Sequence, residues 1–215
     1  MKRLSRNIGR MQGFTIIELL VATVVFSVVL LVATIGILQI VRVYYKGVTE
    51  SNTQNTARAI IDMVSQSIQF SGGNVTPTPG SPTPGNSYKF CVGNQRFSYT
   101  LGHQVENNPT PGKYQSYHAL VQDTVAGCSS GTPAQDVRVL AVAGRELLGE
   151  HMRLSNLEVT SIGPNMYQVH VRVAYGDDDL LVNPQNPNAS CKGEQAGSQF
   201  CSVSDLSTVV VKRVE

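Results

Sequence analysis

Residues 13–43 read GFTIIELLVATVVFSVVLLVATIGILQIVRV, and their composition predicts the structure of the N-terminal part of the chain. Between residues 14 and 41, Glu18 is the only charged side chain. About 20 apolar residues are enough to span a bilayer, so residues 14–41 predict a transmembrane helix. A charge at the centre of such a helix costs about 2.5–3.5 kcal/mol on insertion scales. The acid in this stretch therefore indicates that Glu18 has a function.

The residues before the apolar stretch are basic, and they set its expected orientation. Four basic residues occur there without an acidic one: Lys2, Arg3, Arg6 and Arg10. By the positive-inside bias, they predict a cytoplasmic N-terminus and a chain that lies outside the cytoplasm after about residue 45. The whole chain has 17 basic and 15 acidic residues, a net charge of +2, and without residues 1–13 the acids are in excess. This balance gives no argument for binding to nucleic acid.

The helix is expected to continue beyond the membrane. After residue 48, apolar side chains recur at three- and four-residue steps, at Ala57, Ile60, Ile61, Val64 and Ile68. This spacing is typical of one buried face on an amphipathic helix. A glycine pair at residues 72–73 is a stop signal, because glycine adopts the left-handed conformation that ends many helices. These patterns predict one helix over residues 14–70, with a membrane-embedded half up to residue 41 and an amphipathic outer half.

The rest of the chain has a different composition. Residues 71–87 alternate proline and glycine with serine and threonine, which predicts an extended, solvated linker. Residues 88–215 contain short β-type runs separated by turn residues, at 88–93, 95–101, 117–122, 136–143, 152–162, 165–176 and 206–214. Strands joined by short turns favour an antiparallel sheet. We therefore expect an α+β fold in which the outer half of the helix packs on one β-rich head domain.

The cysteines lie beyond the apolar stretch, at Cys91, Cys128, Cys191 and Cys201. This placement is typical of a chain in an oxidising compartment, where cysteines form disulfides. Four cysteines allow three pairings, and the sequence does not choose among them. The polar, glycine-containing segment between Cys191 and Cys201 favours a short disulfide loop there, which leaves Cys91 to pair with Cys128. A zinc site is not favoured, because there is no Cys-x-x-Cys pair and no histidine nearby.

The remaining polar motifs do not predict catalysis or a bound cofactor. Residues 176–180, GDDDL, lack the alternating acids of an EF-hand calcium loop, and we interpret them as a solvated turn. The four histidines are scattered, at His103, His118, His151 and His170. They form no zinc-protease motif, and no nucleophile elbow occurs in the chain. We therefore predict no enzyme activity, no metal, no cofactor and no small-molecule substrate.

The N-terminal pattern resembles the type IV prepilin signature. A basic leader that ends in Gly13 is followed by Phe14, Thr15, two isoleucines, Glu18 and two leucines at the head of an apolar helix. In that family a membrane-embedded aspartic peptidase, the prepilin peptidase, cuts after the glycine and methylates the new terminal amine. The resemblance therefore implies a cleaved leader of residues 1–13, N-methylation of Phe14 and a pilin-like fold. It covers residues 1 to about 70 closely and the head only in general plan.

Electrostatics suggests a role for Glu18 in assembly. Cleavage would leave a positive amine on Phe14, about one helical turn from Glu18. In a filament, Glu18 can pair with the Phe14 amine of a neighbouring subunit, and this attraction grows as the dielectric constant falls. The apolar helices would then form the filament core, and the charge pair would fix the axial stagger of the subunits. The alternative is that Glu18 lies near the membrane edge and is solvated by water.

The resemblance implies a structural subunit of a type IV pilus-like filament or of a type II secretion pseudopilus, assembled with other pilin or pseudopilin subunits. Residues 14–41 lack the helix proline that is frequent in major pilins, and Gly36 is their only helix-weakening residue. This favours a minor pilin or a J-type pseudopilin, with a priming or tip role. Before assembly the chain would cross the inner or cytoplasmic membrane once, with an extracytoplasmic head. Afterwards it would lie in a cell-surface or periplasmic filament.

Two other functions stay open. An adhesive or DNA-capturing tip pilin would need a binding surface on the head, but the basic residues there are dispersed and interleaved with acids. An uncleaved, single-span membrane anchor could instead present an extracellular domain. Such an anchor would keep residues 1–13 and would tolerate the loss of Glu18.

Overall fold

The computed structural model describes residues 13–80, 82–110, 112–193 and 196–214. The predicted leader lies outside the described residues, apart from Gly13. The chain divides into two compact units, one up to Arg42 and one from Val43 onward, and each unit is described by itself. The division falls where the apolar stretch ends in the sequence.

One long helix, α1, extends over Ile16–Phe70. Thr15 precedes its first turn, and the glycine pair at residues 72–73 follows its last turn, where the stop signal predicts the end of the helix. Gly73 does not have the left-handed backbone conformation expected for such a signal. In the second unit one face of α1 is buried, formed by Thr49, Thr53, Ala57, Ile60, Ile61, Val64 and Ile68. These positions recur every three or four residues, so the amphipathic pattern predicted for the outer half is confirmed.

The strands of the second unit form two main sheets. Within the described residues they are β1 (Ser87–Val92), β2 (Gln95–Thr100), β3 (Gln104–Val105), β4 (Gln115–Ser116), β5 (Leu120–Thr124), β6 (Arg145–Glu146), β7 (Met152–Gly163), β8 (Met166–Tyr175), β9 (Leu181–Val182), β10 (Ser190–Cys191) and β11 (Ser202–Val211). One sheet has the order β1-β2-β5-β6, the other has the order β11-β8-β7-β3-β4, and β9 pairs with β10. The predicted α+β fold is confirmed. The head adds a second sheet and one parallel pair, β3 with β4, to the expected antiparallel pairing.

Strand β8 shows the alternation that its sequence predicts. Val169, Val171 and Val173 are fully buried, whereas His170 and Arg172 lie between them on the other face. β8 pairs antiparallel with β7 on one side and with all ten residues of β11 on the other. The buried valines belong to the same hydrophobic core as the apolar face of α1.

The strand predicted over residues 136–143 is wrong, because this segment forms turns. The Gln135 side chain closes it: its amide donates to the Ala143 carbonyl at 2.8 Å, and its oxygen accepts from the Ala143 N–H at 2.8 Å. Val139 and Leu140 are exposed and have no sheet to pack on. Side-chain bonds to the backbone have overridden the β-propensity of the valines here.

Two disulfides close parts of the head. Cys91 is bonded to Cys128 and Cys191 to Cys201, with Cα–Cα distances of 5.7 and 5.8 Å. This is the pairing that the short polar segment before Cys201 favours. The first bond ties β1 to the loop that follows β5, and the second closes the loop between β10 and β11.

The proline-rich segment after α1 is more closely attached to the head than a solvated spacer would be. The Thr76 N–H donates to the Cys91 carbonyl at 2.9 Å, and its hydroxyl accepts from the Cys91 N–H at 2.7 Å. Thr78 is buried, and it exchanges two hydrogen bonds with the main chain of Val159, at 3.2 and 2.9 Å. The segment therefore bonds to β1 of one sheet and to β7 of the other.

Candidate processing and assembly site

Thr15 and Glu18 close the first turn of α1. The Thr15 N–H donates to Glu18 Oε2 at 2.9 Å, and the Thr15 hydroxyl donates to the same oxygen at 2.8 Å. In the other direction, the Glu18 N–H donates to Thr15 Oγ1 at 3.3 Å. This reciprocal arrangement is a capping box. It satisfies N–H groups that the first turn of a helix leaves without partners.

The capping box is a local role for Glu18 that its charge alone does not suggest. The spacing Thr-x-x-Glu before an apolar run is the sequence signal that predicts it. Only one carboxylate oxygen takes part, since no residue that the structure describes donates to Glu18 Oε1. Glu18 can therefore cap its own helix and still accept a bond from another positive group.

The predicted cleavage site is exposed. Phe14 is 87% exposed, and a Cβ atom added to Gly13 would meet no heavy atom within 4 Å. Packing within the described chain thus gives no reason for glycine at position 13.

The first part of α1 presents a continuous apolar surface. The large hydrophobic side chains of residues 16–41 are between 41% and 82% exposed. The hydroxyls of Thr23, Ser27 and Thr34 donate to main-chain carbonyls of the preceding turn, at 2.7–2.9 Å. The helix is long and apolar enough to cross a membrane. Because these three hydroxyls are satisfied within the helix, this surface is suited to hydrocarbon or to apolar neighbours.

Acidic partners neutralise several basic side chains of the head. Four arginine–aspartate pairs have N–O distances of 2.6–2.9 Å: Arg96–Asp123, Arg138–Asp136, Arg153–Asp178 and Arg172–Asp205. Proteins bind the phosphate backbone of nucleic acids through Lys and Arg side chains, which replace the counterions of the phosphates. These four arginines already have carboxylate partners, so they do not add to a basic surface.

The acidic run at residues 177–179 lies in a turn with Asp177 and Asp179 exposed, as predicted, and it also supports the fold. Asp178 lies 2.7 Å from a guanidinium nitrogen of Arg153, a fully buried side chain. Asp177 accepts a hydrogen bond from the Gln104 amide at 2.9 Å. A buried cation is costly without a partner. The run therefore stabilises Arg153 and offers no ordered set of free carboxylates for calcium.

Glu146 is a buried acid with a structural role. Its carboxylate accepts hydrogen bonds at 2.8–3.2 Å from the main-chain N–H groups of Ala119, Leu120, Leu147 and Leu148. Burial raises the pKa of Glu146, and these backbone donors oppose that shift. The Glu146 carboxylate therefore holds together the main chain of two segments, residues 119–120 and 147–148.

His170 links three neighbouring strands. Its Nε2 atom lies 2.5 Å from Asp205 on β11, and its Nδ1 atom lies 3.3 Å from the Asn156 amide on β7. Both ring nitrogens thus have neighbours within the sheet. In the part of the chain that the structure describes, no group of three or more His, Cys, Asp or Glu side chains is arranged to hold a metal ion.

The comparisons with known proteins place the motif at the N-terminus. The model of the prokaryotic N-terminal methylation motif matches residues 9–34. This match begins in the basic leader, includes Gly13, Phe14 and Glu18, and ends inside the apolar stretch. No curated protein and no solved structure matches the chain.

Proposed function

The chain carries the type IV pilin and pseudopilin signature, and from this premise we propose that it is a minor structural subunit of a type IV pilus-like filament or a type II secretion pseudopilus. The signature belongs to structural subunits and not to enzymes. It implies processing by a prepilin peptidase and assembly with other pilin subunits. The match over residues 9–34 is the observation that carries the proposal. The lack of a helix proline in residues 14–41 supports a priming or tip role.

In this proposal the peptidase cuts between Gly13 and Phe14 and methylates the Phe14 amine. The exposure of Phe14 and the open space around Gly13 support it, because both residues are accessible to an enzyme. Cleavage removes the basic leader, and the mature chain begins at Phe14. Glycine is then required by the enzyme, since a larger side chain would separate the backbone from the active site.

In the filament, Glu18 pairs with the Phe14 amine of a neighbouring subunit. Thr15 binds one carboxylate oxygen and holds it at the N-terminal end of α1, where the helix dipole favours negative charge. The apolar surface of residues 16–41 is covered by the same surface of neighbouring subunits. Because these helices exclude water, the charge pair is strengthened by the low dielectric constant and fixes the stagger of the subunits.

Before assembly, residues 14–41 span the inner or cytoplasmic membrane in this proposal, with the N-terminus in the cytoplasm. The helix of residues 14–70 then leads through the segment 71–87 to an extracytoplasmic head, residues 88–215. Two disulfides fit this side of the membrane, because they persist in oxidising compartments. After assembly the subunit lies in a cell-surface or periplasmic filament.

The intact mass of the protein, recovered from cells with and without a co-expressed prepilin peptidase, tests the processing step. We expect a chain that begins at Phe14 and carries one extra methyl group, and only when the peptidase is present. Gly13→Glu is the matched control: it should insert into the membrane and stay uncleaved. A wild-type chain that still begins at Met1, beside a peptidase that cleaves another prepilin, would contradict the proposal and favour an uncleaved anchor.

Two substitutions of Glu18 separate its charge from its capping role. Glu18→Gln keeps an oxygen for the Thr15 N–H and removes the negative charge, whereas Glu18→Ala removes both. We expect both variants to be cleaved normally and both to be absent from sheared filaments, as measured against the membrane fraction. If Glu18→Gln assembles like the wild type and only Glu18→Ala fails, Glu18 acts through the capping box and the charge pair is wrong.

A further inference from the structure

Three aromatic side chains form an exposed group near the end of the apolar stretch. Tyr44 and Tyr45 follow Val41 by three and four residues, and Phe200 belongs to the C-terminal disulfide loop. The ring centroids of Tyr45 and Phe200 are 5.7 Å apart, and those of Tyr44 and Tyr45 are 5.9 Å apart. The three side chains are 68%, 47% and 42% exposed in the order Tyr44, Tyr45, Phe200. We call them the aromatic cluster.

The disulfide loop holds Phe200 in place beside α1. The Lys46 ammonium group donates to the carbonyl of Cys201 at 2.5 Å, and Cys201 is fully buried and bonded to Cys191. The Phe200 N–H donates to the Gly197 carbonyl at 2.8 Å. A large apolar ring is thus kept at the surface by a covalent bond and by main-chain contacts, although its exposure to water is unfavourable.

The position of the aromatic cluster along the chain matches one face of a bilayer. The 23 residues between Glu18 and Arg42 carry no charge, and at 1.5 Å per residue they extend about 35 Å, close to the roughly 30 Å hydrocarbon core. Tyr44 and Tyr45 come about 3–5 Å after Arg42 on the same scale. Among the described residues of α1, the first buried one is Thr49. The cluster therefore lies between the apolar stretch and the packed part of the helix.

We propose that the aromatic cluster is a membrane-interface anchor, which inserts into the lipid headgroup region on the outer side of the bilayer before the subunit is assembled. Tyrosine is enriched at this depth, because its ring is apolar and its hydroxyl reaches water. Arg42, next to the cluster in sequence, supplies a positive charge for lipid phosphates. The proposal rests on the membrane span proposed for residues 14–41. The partner of the aromatic cluster is the lipid surface itself.

The anchor attaches the head to the membrane at two points. One is the chain itself, where α1 leaves the apolar stretch, and the other is Phe200, about 155 residues further along the chain. A head with a single attachment point is free to tilt about it. The second contact fixes the distance of the disulfide loop from the lipid surface, so the loop is presented at a defined height.

The chain contains no tryptophan, so a single introduced tryptophan is a site-specific fluorescent probe. Three full-length variants are reconstituted into phosphatidylcholine vesicles that carry nitroxide-labelled lipids, with the label either at the headgroup or deep in the acyl chain. Phe200→Trp reports on the aromatic cluster. Val209→Trp is its matched control, since Val209 is 53% exposed on β11 of the same unit. Val28→Trp, within the apolar stretch, reports independently on membrane insertion.

For Phe200→Trp we expect a blue-shifted emission maximum and a large loss of emission with the headgroup label, but little loss with the deep label. Val209→Trp should show neither effect, and Val28→Trp should be quenched by the deep label. If Val28→Trp is quenched and Phe200→Trp behaves like Val209→Trp, the anchor is overturned while the membrane span stands. If Val28→Trp is not quenched by the deep label, the span and the anchor are both overturned.

Discussion

The two halves of α1 contain similar apolar residues and use them in opposite ways. In the outer half, Ile60, Val64 and Ile68 are at most 1% exposed and belong to the hydrophobic core. In the first half, Leu30 and Ile37 are 50% and 62% exposed. Both halves are helical, so helix formation does not distinguish them. The halves differ in whether they pack against other described parts of the chain, which only the outer half does.

This difference shows where each half contributes free energy. Burial of the outer half against the sheets stabilises the head itself, at about 25 cal/mol per Å² of apolar surface. The first half has the same kind of surface, but none of it is buried within the described chain. A contiguous apolar surface of this size marks a site of interaction with lipid or with other chains. Four predictions test the contrast.

The largest expected effect is on the core. Ile60→Ala should lower the free energy of unfolding of the head by about 2–5 kcal/mol, because it removes a buried side chain and leaves a cavity. Ile37→Ala makes the same change in the exposed first half and should leave unfolding unchanged. Thermal and denaturant unfolding of the detergent-solubilised chain measures both. Equal destabilisation by the two variants would mean that both halves of α1 contribute to the free energy of unfolding of the head.

Removal of the disulfides should affect the head alone. On the chain-entropy model, the Cys91–Cys128 bond contributes about 4 kcal/mol and the Cys191–Cys201 bond about 3 kcal/mol, because the first closes the longer loop. Each bond is removed by a double Cys→Ser change and compared by unfolding under oxidising conditions. Neither change should alter membrane insertion, which alkaline extraction of the membrane fraction measures. Loss of insertion in either variant would show that the two parts depend on each other.

A smaller effect is expected from one pair of threonines. The hydroxyls of Thr53 and Thr34 each donate to the carbonyl four residues earlier, at 2.8 Å, but Thr53 is fully buried and Thr34 lies in the exposed apolar half. Thr53→Val should cost about 0.5–1.5 kcal/mol, the usual net value of one hydrogen bond. Thr34→Val should leave unfolding unchanged and favour insertion. The unfolding midpoints of the two variants are measured side by side. A lower midpoint for Thr34→Val than for Thr53→Val would contradict this prediction.

The smallest expected effect is a pH dependence confined to the head. A hydrogen bond from the Arg138 side chain holds the pKa of Asp136 below its usual range. A carboxyl group with a lowered pKa in the folded state stabilises the fold above its unfolded pKa, and this stabilisation is lost as the pH falls through the folded pKa. Both side chains are more than one third exposed, so the contribution is below about 1 kcal/mol.

Asp136→Asn is the variant that measures this contribution. Its unfolding free energy should be slightly lower than that of the wild type at pH 7. The difference should shrink as the pH falls below the unfolded pKa of aspartate, about 3.9, and on through the lower pKa of the folded state. The stretch from residue 19 to residue 41 has no titratable group, so insertion should not change over this range. A difference that grows as the pH falls would have the wrong sign for the Asp136–Arg138 pair.

Much of α1 was predictable, because its signals are local. The buried face at Ile60 and Val64 follows from a 3.6-residue period, and the end of the helix falls at a glycine pair, which is weakly helix-forming. The alternation of β8 follows from a two-residue period in the same way. The capping box of Thr15 and Glu18 was equally readable from the sequence. Such patterns depend on residues that are neighbours along the chain.

The error in the head has the opposite origin. Residues 136–143 have the composition of a strand, but Gln135 closes them into a loop. The acidic run is an exposed turn, as predicted, but its pairing with the buried Arg153 depends on how β7 and the loop after β8 come together. The local sequence of either segment does not indicate which distant residue it contacts. The register of a sheet and the burial of a charge are decided by residues distant in sequence.

The methylation motif, the apolar stretch, the amphipathic continuation of α1 and the four cysteines of the head are all read from the chain directly, because charge, period and spacing act between near neighbours. Three other features depend on the folded head: the proline-rich segment bonds to both sheets, Asp178 neutralises a buried arginine, and Phe200 lies beside Tyr45. These contacts join residues that are far apart in the chain. They form only when the whole head has folded, since each contact needs the others to hold its partner in place.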